Sequence, residues 1–276
     1  MKIIFLDADG TLFHHEGYIP ESALFACQEA QKNNHKICLC TGRQRVELYG
    51  DLMKIQYDGL ITGSGAHVEV KGQVLEERTF TKEELDWILS YAQKHQIPIF
   101  CESSKGLFAT PLGKQKIDLL FQEQCAHLSQ DALQNHSLYT VHQLTQVHTD
   151  FSQDQINKVS FLESQIPYQE VQAHLQDRFD IVPATFAPFG QESGEISSKA
   201  ITKATGMDTL IQYFKIPNQD VIAIGDGFND LCMFEKAHLS IAMGNAHPDV
   251  QKKADRITKG LNEDGIYHAF KELDLI

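Results

Sequence analysis

Two pairs of carboxylates stand directly behind apolar runs in this chain. Ile3-Ile4-Phe5-Leu6 runs into Asp7-Ala8-Asp9-Gly10-Thr11, and Val221-Ile222-Ala223-Ile224 runs into Gly225-Asp226-Gly227-Phe228-Asn229-Asp230. Clustered carboxylates repel one another unless a cation joins them, and an all-oxygen set suits a hard divalent ion such as Mg2+. Two other segments carry groups that suit a phosphate: Thr41-Gly42, at the end of another apolar run, and Lys199. Together these residues could supply what cleavage of a phosphate monoester demands, namely charge neutralisation, an in-line nucleophile and a proton donor for the departing alkoxide.

Each residue type then has a candidate role. Asp7, at a strand tip, is placed to attack phosphorus and form an aspartyl-phosphate. Asp9, two residues on, can protonate the leaving oxygen and later deprotonate water. Gly10 tolerates the positive φ of a sharp turn. Thr41 and the Gly42 N–H are donors to phosphate oxygens, and Lys199 is a positive charge expected at a helix start. Asp226 completes a Mg2+ site with the Asp7 carboxylate and the Asp9 backbone carbonyl, the remaining positions going to phosphate and water. Asp230 is expected behind these ligands, orienting Lys199 or a metal-bound water, and the Asn229 amide can donate to phosphate.

The elements that must position these groups follow from the apolar pattern. Short apolar runs bounded by turn residues mark strands buried on both faces, as in parallel sheets, where ligands sit beyond the carboxyl ends of the strands. Ile3 to Leu6, His35 to Cys40 and Asp58 to Ile61 are expected strands, with helices from Glu21 to about Asn33 and from Gln44 to Met53 between them. Lys71-Gly72 predicts a hairpin, and Thr81 with Glu84 has the form of a capping box that opens a helix to about His95. From there strands and helices mix, and the Gln-, His- and Ser-rich interval 125–156 is weakly patterned. Lys199 is expected to open a helix to Phe214, after which strand and helix alternate again. The expected fold is an α/β, Rossmann-like parallel-sheet core (1–81 and 187–276) with an inserted α+β domain over 82–186.

Composition narrows the partners. The chain has 276 residues, 42% of them apolar, which is enough for a packed core, and a formal net charge of -13. That acidity argues against a nucleic-acid backbone as partner. The six cysteines form no CxxC pair, and Cys38 and Cys40 alternate so as to share one buried face. No apolar stretch approaches a membrane span and no leader is expected, so the cytoplasm is the expected compartment. Thirteen histidines show no zinc spacing; His14-His15 is expected in a solvated loop.

Asp7-Ala8-Asp9-Gly10-Thr11-Leu12, Thr41-Gly42-Arg43, Lys199 and Gly225 to Asp230 resemble the four motifs of the haloacid dehalogenase (HAD) superfamily. The position of the insert and the run Met243-Gly244-Asn245-Ala246 are similar to its Cof-type phosphatase branch. The resemblance implies a mobile cap and a Mg2+-dependent phosphatase, with Asp7 as nucleophile and Asp9 as acid/base. It further implies Asp7, Asp9 and Asp226 as metal ligands, and Ala8 (backbone), Thr41, Gly42, Lys199 and Asn229 as phosphate contacts. The expected substrate is a small phosphorylated metabolite, a sugar-phosphate-like monoester. Two other readings share the scaffold: a phosphomutase and a catalytically silent metabolite-binding protein. Substrate identity, the cap residues that set specificity and oligomeric state are not legible.

Overall fold

A computed structural model of the chain describes residues 1–129, 133, 137–184 and 187–276. The expected domain boundary at 186/187, and part of the weakly patterned 125–156 interval, fall on or beside residues outside this set. The described residues divide into two compact units, Met1–Glu77 with Ile201–Ile276, and Arg78–Ala200.

The first unit begins with β1 (Ile3–Leu6), α1 (Glu21–Lys32), β2 (Lys36–Cys40), β3 (Gly59–Thr62), β4 (His67–Val70) and β5 (Gln73–Glu77). The insert contributes α2 (Lys82–Lys94), β6 (Ile99–Ser103), β7 (Gly106–Ala109), α3 (Pro111–Cys125), α4 (Ser137–Leu144), β8 (Thr145–Val147), β9 (Lys158–Phe161), α5 (Tyr168–Leu175), β10 (Phe179–Pro183) and β11 (Gly194–Ser198). The first unit resumes with α6 (Lys203–Phe214), β12 (Val221–Gly225), α7 (Leu231–Lys236), β13 (Leu239–Ala242), α8 (Pro248–Gln251), β14 (Arg256–Ile257) and α9 (Gly265–Glu272).

The core sheet has the order β14-β13-β12-β1-β2-β3-β4-β5 and is parallel from β14 to β3, with β4 and β5 adding an antiparallel edge. Because side chains alternate across a strand, β1 serves two cores at once. Ile4 and Leu6 join Ile37 and Leu39 against apolar residues of α1 and α9, while Ile3 and Phe5 join Cys38 and Cys40 against Met207 and Leu210 of α6 and Met233 of α7. Helices thus cover both faces, which is why the central strands are apolar throughout. Each fully buried Ile, Leu or Phe contributes about 1.5–3 kcal/mol of burial. The expected Cys38/Cys40 shared face is present.

Three expectations change. Gln44 to Met53 is not an α-helix but two 3-10 turns, Arg45–Glu47 and Gly50–Lys54, interrupted where Leu48 and Tyr49 are extended and Gly50 takes φ +59°. The helix expected to open at Lys199 starts at Lys203, because Thr202 is its N-cap: its side chain accepts from the Thr205 N–H at 3.2 Å. Residues 187–200, expected in the core, belong with the insert, since β11 pairs antiparallel with both β9 and β10.

The insert's sheet runs β10-β11-β9-β6-β7-β8, antiparallel except where β7 meets β8. Its helices start where the chain supplies caps. Thr81 and Glu84 form the expected capping box, with Thr81 N donating to Glu84 Oε2 at 2.8 Å and Glu84 N to Thr81 Oγ1 at 3.2 Å. At α3, Thr110 Oγ1 accepts from Gly113 N at 3.1 Å and Pro111 occupies the first helical position. Apolar residues of α2, α5 and the sheet, among them Ile88, Phe161 and Phe179, form a separate core with Phe80, which precedes α2. Among the described residues no helix is long and apolar enough to cross a membrane.

Candidate active site

Parallel pairing of β1 with β12 sets the site. Leu6 lies opposite Ile224, and the Asp7 N–H donates to the Ile224 carbonyl at 3.0 Å, so the two acidic strand ends lie side by side. One oxygen each from Asp7, Asp226 and Asp230 falls within 4.8 Å of the others. Past Asp7 the chain turns tightly: the Ala8 carbonyl accepts from the Leu12 and Phe13 N–H groups at 2.9 and 2.8 Å. Gly10 has φ +84°, and a Cβ there would lie 2.2 Å from Asp226 Oδ2, so only glycine lets the turn approach that carboxylate. Thr11 Oγ1 donates to Asp226 Oδ1 at 3.0 Å.

The lysine of the site is Lys203. Its Nζ, 1% exposed, lies 2.6 Å from Asp7 Oδ1 and 2.6 Å from Asp230 Oδ1. Lys199 is instead a residue of the second unit, with its Nζ donating to the Asp177 carbonyl at 3.2 Å. The expectation of Lys199 therefore fails by one helical turn. Ser197 and Ser198 are still strand, so the helix that carries the cation into the core begins after Thr202. The signal was readable: Thr202 with Thr205 has helix-start character, and Lys203 follows that cap directly.

Asp230, wholly buried, is a brace. Its Oδ1 holds Lys203, and its Oδ2 accepts from the Asp226 and Gly227 N–H groups at 3.0 and 2.9 Å. The lysine it orients is Lys203, not the expected Lys199. Asp7 and Asp226 keep oxygen capacity: Asp7 Oδ2 accepts no protein hydrogen bond among the described residues, whereas Asp226 has the Thr11 hydroxyl on one oxygen and a long 3.5 Å contact from Asn245 on the other.

The electrostatics match this division. Burial, and then repulsion from Asp230, push the Asp7 carboxyl well above its ordinary range, against the pull of Lys203. Burial and Asp230 push Asp226 up to about 6, opposed by the Thr11 hydrogen bond. Burial would lower the Lys203 ammonium, but Asp230 and Asp7 overcome it and hold the group charged. One cation against two carboxylates and a third nearby leaves an anionic excess, which a divalent ion held by Asp7 and Asp226 would offset. The donor set fits such an ion.

Asp9 lies outside this cluster. Its half-exposed carboxylate is gripped by Arg43, with Nε 2.8 Å from Oδ2 and Nη2 2.7 Å from Oδ1, and the guanidinium lies 5.0 Å from the centre of the Phe13 ring. The expected Asp9 metal contact concerned its backbone carbonyl; both side-chain oxygens are engaged by Arg43. Thr41 is buried at the end of β2; its Oγ1 accepts from Arg43 N at 3.1 Å, and its carbonyl accepts from Ser64 N at 3.0 Å. Gly42 follows, and Asn229 stands exposed in the loop after β12. Ala8 is fully buried. Arg43 and Asn245 are neighbours of the site that residue type alone did not single out.

One further expectation resolves differently. His14 is not a solvated loop residue: it is buried, its Nδ1 accepts from Glu16 N at 3.1 Å, and its ring stacks on Tyr18. Phe228 is 59% exposed, with its ring 5.4 Å from that of His247. Cys101 and Glu102 are buried in β6, Glu102 pairing with Lys158 at 3.0 Å.

Comparison with known proteins agrees with this geometry. Residues 4–270 match the family model of haloacid dehalogenase-like hydrolases. YkrA of Bacillus subtilis (strain 168), provisionally named a phosphatase, is 28% identical over 276 residues, covering 100% of this chain and 98% of its own. The 5-amino-6-(5-phospho-D-ribitylamino)uracil phosphatase YitU of the same organism is 26% identical over 273 residues, with 98% and 96% coverage. The solved structure of BT1666 from Bacteroides thetaiotaomicron, a phosphatase of the HAD superfamily, superposes with a TM-score of 0.81 at 22% identity, covering 100% of this chain and 96% of that one. The chain belongs to the haloacid dehalogenase-like hydrolases, in their Cof-type phosphatase branch.

Proposed function

We propose that the chain hydrolyses small phosphorylated metabolites, of the sugar- or polyol-phosphate kind, with Mg2+ and through an aspartyl-phosphate on Asp7. The observation that carries the reading is the buried Asp7 carboxylate, held on one oxygen by Lys203 and free on the other, beside Asp226. A locked carboxylate with one open oxygen is pre-oriented for attack. YitU, named for a phosphorylated ribityl compound, supports the substrate class.

In this reading Asp9 leaves its Arg43 partner when substrate binds; Asp7 Oδ2 attacks phosphorus and the P–O bond to the alkoxide breaks while the protonated Asp9 gives that oxygen its proton. Asp9 then takes a proton from water, whose oxygen attacks phosphorus. Inorganic phosphate leaves and the Asp7 carboxylate is restored. The Ala8 and Gly42 N–H groups, Thr41 and Asn229 contact the phosphoryl oxygens, and Lys203 supplies the positive charge first assigned to Lys199. Asp7, Asp226 and the Asp9 carbonyl would hold the Mg2+, which when bound neutralises phosphate charge.

The test is a phosphate-release screen over a metabolite library, with and without a chelator. Phosphate should appear from several monoesters and stop when the divalent ion is removed. Asp7→Asn should lower turnover by about a thousandfold or more with the fold retained, because an amide is not a nucleophile here. Isomerised substrate without released phosphate would replace hydrolysis with mutase chemistry.

A further inference from the structure

Asp226 is hydrogen-bonded on one oxygen and approached at longer range on the other, and the two neighbours converge on one turn. Thr11 Oγ1 donates to Oδ1 at 3.0 Å. On the other side, Asn245 Nδ2 lies 3.5 Å from Oδ2 and donates to the Gly10 carbonyl at 2.9 Å. Asn245 Oδ1 accepts from the Leu261 N–H at 2.9 Å. The two backbone partners settle the orientation of this amide, since a flip would set N–H against N–H and oxygen against oxygen. Asn245 stands in the loop after β13, so three separate chain segments meet on one side chain.

We infer that Asn245 is a positioning residue for Asp226. The terminal torsion of an aspartate is broad and roughly two-fold, so a strand-end carboxylate does not by itself present a fixed oxygen to a ligand. Thr11 fixes one edge of the Asp226 carboxylate. Asn245, anchored on the Gly10 carbonyl at 2.9 Å, stands 3.5 Å from the other and limits its rotation, in the turn whose Asp9 carbonyl is the companion donor. Partners behind a metal ligand typically change metal affinity by about 10–100-fold when removed. The inference rests on the proposal that Asp226 binds a divalent ion.

The experiment titrates MgCl2 into the full chain with two readouts, p-nitrophenyl phosphate hydrolysis and the Mg2+-dependent rise in melting temperature. Asn245→Ala and Asn245→Leu should raise the Mg2+ concentration at half effect by about tenfold in both, with kcat at saturating Mg2+ within about threefold of the parent. A lower melting temperature or lower kcat with the midpoint unmoved would make Asn245 a loop fastener only, and the inference would fall. Asp226→Ala separates the two levels. If it abolishes the Mg2+ response while the Asn245 variants keep the parent midpoint, only the inference fails. If Asp226→Ala leaves the response intact, the metal assignment fails and takes the inference with it.

Discussion

The two units are built from the same materials and put to different uses. Both are sheets with helices, but the core sheet is parallel through six strands and the insert's sheet is antiparallel in all but one pairing. Parallel strands deliver their carboxyl ends to one edge, so the residues following β1, β2 and β12 (Asp7, Thr41 and Asp226) gather there. Antiparallel strands send alternate ends to opposite edges. Among the described residues the only grouping of three possible metal ligands is Asp7, Asp226 and Asp230, all in the core. Strand direction, more than composition, decides where chemistry can collect.

The sharpest way to break that comparison uses two lysines that straddle the unit boundary at 200/201. Lys203→Ala strands two buried carboxylates and should cost about 3–5 kcal/mol, together with most of the activity. Lys199→Ala should change stability by less than about 0.5 kcal/mol and kcat/KM by no more than about twofold. Denaturant titration and steady-state kinetics decide it; equal losses at both positions would return Lys199 to the site.

Two glycines give the next effect. A Cβ at Gly10 would meet Asp226 Oδ2 at 2.2 Å, and one at Gly113, in α3 of the insert, would meet the Ile99 carbonyl at 1.9 Å. Each alanine variant should lose about 1–3 kcal/mol. Only Gly10→Ala should also weaken the Mg2+-dependent rise in melting temperature. A Gly113→Ala protein with the same weakened Mg2+ response would contradict the division of roles.

The smallest effect is a pH dependence at the antiparallel edge of the core sheet. His67 Nδ1 lies 2.6 Å from Glu77 and Nε2 3.0 Å from Glu69, which also takes Arg45 Nε at 3.1 Å. Burial would lower the imidazole, but Glu77 and Glu69 raise it above its ordinary value. A raised histidine stabilises the fold below its unfolded value, about 6.5, and that contribution is lost as pH rises through the higher folded value. The melting temperature should therefore decline on going from about pH 6 to 9, and His67→Asn should flatten the decline. An unaltered slope in the variant would assign the titration to other groups.

Much of the core was legible because its signals are local. Ile3 to Leu6 and Val221 to Ile224 are unbroken apolar runs, and each ends at a residue whose chemistry is distinctive. Lys203 was displaced by four positions because Lys199 sits in a similar setting of small and polar residues, and only the Thr202 cap separates strand end from helix start. The insert was harder. β11 shows one strongly apolar residue, Ile196, between exposed-type neighbours, and it becomes a strand only through its pairing partners. Arg43 and Asn245 were named within motifs but given no task, since their partners, Asp9 and Asp226, lie far along the chain.

The buried bond between Asp7 and Lys203 joins residues 196 positions apart. At ordinary translation speeds of roughly 5–20 residues per second, the first strand waits on the order of 10–40 s at the ribosome before its cationic counterpart is made. A half-synthesised chain therefore carries Asp7 without its buried cation. The Asp7–Lys203 pair can close only after the entire intervening domain has been translated.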